Sequence, residues 1–449
     1  MGRSDDKPME EQLQALWEEQ GEMIVGVPQG VRDLLNSAFA QVPVLSFPKL
    51  PYGKVLEISG DASISEAVHL LAEFNIFSAP VRNPSASTNS SWSMQYIGIV
   101  DYSSIILWVL EQAELAAAAI ATGSATFVGV GAGALGALGA LVLGLSGPLA
   151  VAGLTTFAVG AAIAGGVVAD ARGAKSASSA ADALGQDFYK VILENEPFKS
   201  TKVSEITRSY RWAPFLPIQQ NDSMLTVLLM LSKFRLRSIP VVDIDNNIVE
   251  NMITQSGVVL GLSQCRGRDW YDNLAGKSLH QLGLPVMKPN QVVSVDASKL
   301  VLEAFILMKE KHIGGLPVVE GPEQHLIGNI SIRDVHFLLL QPELFAKRKE
   351  LTVMNFIKMV TEIEPETGML PPTTCENTAE LGNVIDTLAS KNLPRIHIVN
   401  KNNQLVGVVT LRDIIGCFVS EPKDYFDDYF GGVFKETLLQ AEDAANKSE

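Results

Sequence analysis

Two stretches of this sequence set a hydroxyl and a carboxylate three residues apart at the end of a β-type run. They are Gly328-Asn329-Ile330-Ser331-Ile332-Arg333-Asp334-Val335 and Gly407-Val408-Val409-Thr410-Leu411-Arg412-Asp413-Ile414. Each leads into an apolar stretch, so Ser331 with Asp334, and Thr410 with Asp413, fall at strand-to-helix junctions. An ionised aspartate offers two acceptor oxygens and no donor, which suits the adjacent hydroxyls of a ribose. A hydroxyl three residues earlier reaches the same ligand, and backbone N–H groups at a helix start suit a phosphate. The same aspartate also caps the helix it opens, worth ~1 kcal/mol, so a structural reading stands beside the ligand-binding one.

Weaker copies lie upstream. Asn251-Met252-Ile253-Thr254-Gln255-Ser256-Gly257-Val258 keeps the hydroxyl of Thr254 but has Gly257 at the aspartate position. Gly98-Ile99-Val100-Asp101-Tyr102-Ser103-Ser104-Ile105 keeps the glycine and has Ser104 there. Thr254 and Ser331 are 77 residues apart and Ser331 and Thr410 are 79 apart; with residues 115–186 taken as an insertion, Asp101 and Thr254 are 81 apart. A fixed period of this size marks a repeat architecture. A second signature runs in step with the first: Ser78-Ala79-Pro80-Val81, Ser238-Ile239-Pro240-Val241-Val242-Asp243 and Gly315-Leu316-Pro317-Val318-Val319-Glu320, with Arg395-Ile396-His397-Ile398-Val399-Asn400 in the fourth place. Pro240 precedes Thr254 by 14 residues, as Pro317 precedes Ser331. That spacing fits an x-Pro-Val-Val strand, a turn and a second strand.

The elements that must position these residues follow. In the first repeat the pattern gives a strand at Val55–Ile58, a helix at Ser63–Asn75, a strand at Ser78–Arg82, a polar loop at Asn83–Ser93, a strand at Tyr96–Val100 and a helix at Tyr102–Glu111. The second repeat is entered through a helix at Asp187–Leu193 and Thr201–Ile206, and its helix Met224–Phe234 is apolar on nearly all sides, as a helix buried between layers would be. The chain thus divides into an N-terminal helical extension (1–48), repeat one (49–114), an Ala/Gly-rich insertion (115–186), repeat two (187–275), repeat three (276–345), repeat four (346–422) and an acidic tail (423–449). In the extension, Pro8–Gln20 reads as an exposed helix and Val31–Phe39 as a short amphipathic one.

The insertion holds no charged residue between Glu114 and Asp170. Ser124–Leu145 and Leu149–Ala169 are each about twenty residues, the length that spans a hydrocarbon core, with a Ser146-Gly147-Pro148 turn between them. Small residues four apart would let two such helices approach closely. Ala and Gly are only weakly apolar, however, so three readings stand open for residues 124–169: a hairpin that spans or touches a membrane, a flexible Gly/Ala-rich loop, and a hairpin packed on the protein's own surface.

Bulk properties narrow the function. A chain of 449 residues, 47% apolar and 19% charged, carries several real cores, and its formal charge of -15 argues against a nucleic-acid partner. The three cysteines Cys265, Cys375 and Cys417 are far apart, and the six histidines show no ligand spacing, so no metal is expected. The N-terminus lacks the character of a secretory or transit peptide, and Asp6 breaks the myristoylation pattern behind Gly2. The Arg-Asp pairs at 333–334 and 412–413 resemble a kinase catalytic loop in those residues alone; no Gly-rich phosphate loop, strand lysine or Asp-Phe-Gly accompanies them. No catalytic function is expected.

The Pro-Val-Val strand with the Gly-x-[Ile/Val]-[Ser/Thr]-x-x-Asp ending resembles the cystathionine-beta-synthase (CBS) repeat. Four such repeats resemble the gamma regulatory subunits of AMP-activated protein kinase and its relatives. The plant, SNF1-related type is the nearest in pattern, through Arg211-Trp212-Ala213-Pro214-Phe215, Ile253-Thr254-Gln255-Ser256-Gly257-Val258, Ile313-Gly314-Gly315-Leu316-Pro317-Val318 and Glu421-Pro422-Lys423-Asp424-Tyr425-Phe426. The resemblance implies an α/β (α+β) fold in which repeats one and two, and three and four, pair into two Bateman-type modules. It implies AMP, ADP and ATP as regulatory ligands, catalytic alpha and beta subunits of a kinase as partners, and a cytoplasmic or nuclear location.

The residues that the resemblance assigns to the ligand are Ser331, Asp334, Thr410 and Asp413, with Thr254 retained in repeat two. Of the basic residues that bind phosphate in the animal subunits, Arg395 matches one and Arg237 lies close to another. Phe77 and Pro394 stand where basic residues would, and Ser256 and Gly257 replace a basic stretch. For Arg333 and Arg412, a phosphate contact and a plain surface role both remain open. Two further function classes stay in play: a membrane-associated CBS adaptor or transport regulator, and an interaction scaffold that binds no ligand.

Overall fold

Each repeat builds a three-stranded sheet from one very short strand and a hairpin. The computed structural model describes residues 26–108 and 200–426, apart from 51–54, 75, 88–91, 103, 106, 208–214, 234–235, 244–245, 286–290, 312, 341–343, 345–346, 348–349, 364, 366–368, 370 and 423–424. In repeat one, β1 (Ile58–Ser59) runs through the helix Ile64–Glu73 to a parallel β2 (Ser78–Arg82), which turns back into an antiparallel β3 (Tyr96–Asp101). The same order recurs as β4 (Ile218–Gln219), β5 (Ser238–Asp243) and β6 (Ile248–Thr254), as β7 (Val295–Asp296), β8 (Gly315–Glu320) and β9 (His325–Ser331), and as β10 (Thr374–Cys375), β11 (Arg395–Val399) and β12 (Leu405–Thr410).

The prolines set where pairing with the first strand begins. β2, β5 and β8 are central strands, where a residue without an N–H would normally break a ladder. Pairing with β1, β4 and β7 begins only one residue later, at Val81, Val241 and Val318. At the proline itself the strand is an edge, so no ladder bond is lost. Repeat four has His397 instead, and there pairing starts a residue earlier, with Thr374 opposite His397 and the His397 N–H donating to the Thr373 carbonyl at 3.2 Å.

The leading segment of each repeat packs on its neighbour. Thr201–Ile206, read from the sequence as the approach to repeat two, instead closes repeat one: Ile64 N–H donates to Thr201 O at 3.0 Å and Val203 N–H to Ala62 O at 2.9 Å. The helix Val353–Ile363, which precedes the strands of repeat four, is tied to repeat three by Val301 N–H to Leu351 O and Val353 N–H to Lys299 O, at 2.9 and 2.8 Å. Residues 279–280, ahead of the strands of repeat three, bond to Ala379 and Asn377 of repeat four, and residues 44–45, ahead of repeat one, bond to Asp222 and Gln220 of repeat two. Division at repeat boundaries is therefore a division of sequence, whereas the folded modules are reciprocally exchanged pairs.

Two cores close the assembly the other way. Ile58, Ile64, Leu71, Val100 and Ile105 of repeat one share a core with Val301, Phe305, Leu316 and Ile332 of repeat three and Phe356 of the helix tied to it. Repeats two and four share the second, with Leu228, Val259 and Tyr271 against Val384, Ile415 and Phe418, and Leu35 and Val44 of the N-terminal segment complete it. Smaller apolar contacts join sheet to sheet: Tyr96 stacks on Phe215 at 4.0 Å between repeats one and two, and Val319 and Leu326 meet Leu405 between three and four. Repeat one thus touches two and three, and repeat four does likewise.

Other expectations are adjusted by this geometry. The first strand lies at Ile58–Ser59 rather than Val55–Ile58, because Val55 turns toward Tyr96 and Phe215. The loop at 83–93 ends in a short helix, Trp92–Gln95, and the amphipathic N-terminal helix spans Gln29–Ala40. Among the described residues no helix is long and apolar enough to cross a membrane. The expected helices at Pro8–Gln20 and Asp187–Leu193, the end of the helix Tyr102–Glu111, the hairpin at 124–169, the Arg211–Pro214 stretch and the acidic tail from 427 lie outside the described residues.

Phe356 is fully buried and meets Phe305 edge-on at 6.0 Å. Phe356→Ala is expected to cost about 3–5 kcal/mol in chemical denaturation. Because the core is shared, amide exchange should accelerate in Ile64–Glu73 of repeat one as well as in Val301–Glu310. Acceleration confined to repeat three would show that the cores are independent.

Candidate functional site

The facing sheets of repeats three and four carry the two complete hydroxyl–carboxylate pairs. Cross-strand partners share a face, so Gly315 with Ser331 and Pro317 with Asn329 line one side, and Arg395 with Thr410 and His397 with Val408 line the other. The Arg395 guanidinium lies over Gly315, where any Cβ would collide with it. The two faces therefore look at each other, with the end of the Arg395 side chain in the space beside Gly315.

Asp334 is buried at the first turn after β9, and its Oδ2 accepts from the Ser331 N–H at 2.6 Å. Burial pushes its pKa up to about 6, against the Ser331 hydrogen bonds and the charges of Arg395 and Arg333, which favour the ionised form. Asp413 repeats the arrangement: its Oδ2 accepts from the Thr410 N–H and hydroxyl, both at 2.7 Å. Capping is thus real at both junctions. A carboxylate has about four acceptor positions, so the cap and a ribose do not exclude each other.

The remaining sequence candidates are distributed differently. Thr254 accepts from the Gly257 N–H at 3.0 Å and caps its helix, with no carboxylate beside it. Arg237 pairs with Asp101 of repeat one at 3.0 Å. Arg333 crosses from repeat three to repeat one, its guanidinium 4.3 Å from the centre of the Phe77 ring. Burial lowers the Arg333 pKa, and the charge of Arg237 acts in the same direction while Asp101 and Asp334 oppose it. These residues of repeats one, two and three thus form one charged cluster. Arg412 donates through Nε to the Ser232 carbonyl and joins repeat four to repeat two.

Three residues at these faces were not singled out by motif. Asn329 and His397 stand where other repeats carry Ile99, Met252 or Val408 and Pro80, Pro240 or Pro317. The Asn329 Oδ1 is buried with no hydrogen-bond partner among the described residues. His397 is 2% exposed and its ring nitrogens lack a well-formed hydrogen bond among the described residues. Burial, then the charge of Arg395, pushes its pKa down to about 4 against a small opposing effect of the Thr373 carbonyl. Asp101 occupies the hydroxyl position of its repeat. Aligning the four copies and asking which departs toward polarity would have found all three. Among the described residues no cluster of His, Cys, Asp or Glu could hold a metal.

Comparison with known proteins adds a lineage. The CBS domain profile matches residues 284–340 and 360–420. An Arabidopsis thaliana protein named SNF1-related protein kinase regulatory subunit gamma-1-like is 51% identical, across 92% of this chain and 93% of its own. The Arabidopsis SNF1-related protein kinase regulatory subunit gamma-1 is 34% identical over 94% of this chain and 91% of its own. The human 5'-AMP-activated protein kinase subunit gamma-3 is 26% identical over 51% of this chain and 45% of its own. Among solved structures, a Methanocaldococcus jannaschii protein aligns with a TM-score of 0.46 at 14% identity, covering 82% of this chain and 96% of its own.

The state of Asp334 sets a pH dependence. Its folded pKa, near 6, lies above the unfolded value of 3.8, so the folded chain holds the extra proton between them. The corresponding stability is fully present below pH ~4 and is lost as pH rises through ~6, by on the order of 3 kcal/mol. Urea unfolding from pH 4 to 7 should show this decline, and Asp334→Asn should flatten it. An unchanged slope in the variant would place the proton elsewhere.

Proposed function

The chain belongs to the family of SNF1-related protein kinase gamma regulatory subunits, and on that footing we propose that it binds adenine nucleotides between repeats three and four and passes their occupancy to a kinase. It acts as a non-catalytic subunit alongside catalytic alpha and beta subunits. The observation that carries the ligand reading is the pair of buried carboxylates, Asp334 and Asp413, each with a hydroxyl three residues before it, at the ends of two facing sheets beside Arg395.

Each residue has a definable part. Asp334 and Asp413 accept from ribose hydroxyls, Ser331 and Thr410 add donors, and Arg395 supplies charge for a phosphate. The unsatisfied Asn329 Oδ1 has the chemistry to accept from an exocyclic amine, the group that distinguishes adenine from a 6-oxo purine. Regulation follows from linkage: a nucleotide that fits the kinase-competent arrangement better stabilises it by the difference in its two affinities. The helices carrying Asp334 and Asp413 enter different shared cores, so a shift at either end reaches repeat one or repeat two.

Calorimetric titration with AMP, ADP and ATP tests this reading. Saturable binding is expected, weakened ~10- to 100-fold in the Asp334→Ala plus Asp413→Ala variant by loss of hydrogen bonds to a charged group. A folded variant that binds as well as the parent would refute the assignment.

Asp101 leads to a separate expectation. As a fixed anion against Arg237 it counters charge that a phosphate would use. Asp101→Asn should strengthen ATP and ADP binding severalfold while leaving adenosine unchanged. Equal effects on adenosine and ATP would mean that this cluster does not sense phosphate.

A further inference from the structure

Gly257 is the counterpart in repeat two of Asp334 and Asp413: all three are the third residue after the hydroxyl that ends the hairpin. An aromatic ring lies close against this glycine. A Cβ on Gly257 would lie 3.2 Å from Cζ and 3.7 Å from Cε1 of Phe47, and 3.3 Å from the Thr254 hydroxyl. A carboxyl group extends two more bonds from Cβ, and a ribose would lie beyond that. Phe47 already holds part of this volume.

Phe47 is held there by a fastened segment. Val44 and Leu45 donate to the carbonyls of Asp222 and Gln220 at 2.8 and 2.9 Å, and Met224 N–H donates to Val42 O at 2.8 Å. Beyond the ring, Asn251 Nδ2 donates to the Pro48 carbonyl at 3.1 Å, and Lys49 pairs with Glu250 at 3.0 Å. The ring itself packs on the core shared by repeats two and four. The counterpart of Asn251 in repeat three is Gly328, against which the Met369 carbonyl lies. The segment leading into a partner repeat thus packs on the hairpin in both modules, and in repeat two it carries an aromatic ring to the glycine.

We infer that Phe47 is a built-in occupant of the repeat-two cleft, replacing the ribose-binding carboxylate and its ligand, and so determines which clefts take nucleotide. The inference rests on the nucleotide reading of the equivalent positions in repeats three and four. Removal of the ring and restoration of the carboxylate should reopen the site.

The experiment is calorimetric titration of the full chain and of the Phe47→Ala plus Gly257→Asp variant with AMP, with Phe47→Leu plus Gly257→Asp as a second variant that keeps an apolar contact with the core. Circular dichroism melting establishes that each is folded. The inference predicts one more AMP site per chain in a folded variant than in the parent. An unchanged site number in both folded variants, with a parent that binds AMP, overturns the inference and leaves the nucleotide reading intact. A parent that binds no AMP overturns that reading; gained binding in a variant would then still support the Phe47 assignment, and silence in both would end it.

Discussion

A three-stranded sheet with a two-residue first strand cannot cover both of its faces, and the rest of the structure follows from that deficiency. One face is covered by helices, but the helices of a single repeat are too few to make a closed core, so repeats one and three pool theirs, as do two and four. The other face turns toward a second sheet, and the leading segment of each repeat crosses to its module partner. No repeat is independent in this arrangement. On the nucleotide reading proposed above, a ligand between two sheets would press on elements that belong to both shared cores.

The two hydroxyl–carboxylate pairs sit at the least satisfied positions of this scaffold. Strand-to-helix junctions leave N–H groups without ladder or helical partners, and Asp334 and Asp413 answer them while remaining almost buried. Burial then works against ionisation of Asp334, and only the Ser331 bonds and the charges of Arg395 and Arg333 hold the shift within bounds. The four repeats have diverged from one another in this respect. Three and four keep the carboxylate, one moves it to Asp101 against Arg237, and two deletes it beside Phe47. Local symmetry of the fold is retained although chemical symmetry is lost.

Much of this was legible in the sequence, because the period near eighty residues and the Pro-Val-Val strand are backbone constraints that act locally. The strand Ser78–Arg82 falls where its residues predict, since alternation and the turn after it depend on near neighbours alone. The two Ser/Thr–Asp pairs were legible for the same reason. What escaped was everything set by contact between distant segments. Thr201–Ile206 reads as an approach to repeat two, yet its burial is decided by Ala62 and Ile64, more than a hundred residues earlier. Arg412, for which the sequence leaves a phosphate contact and a surface role equally open, donates to the Ser232 carbonyl of repeat two. Phe47 carries no motif at all, and its meaning comes from the glycine it meets.

The most direct test of the account is hydrogen–deuterium exchange of the intact chain with and without saturating AMP. The account predicts slowed exchange in peptides covering Ile330–Val335 and Val409–Ile414, with none at the repeat-two junction Ile253–Val258, because carboxylate-held ribose should steady the first two turns and Gly257 has no such group. Protection spread equally over all three junctions, or absent from the two that carry aspartate, would contradict it.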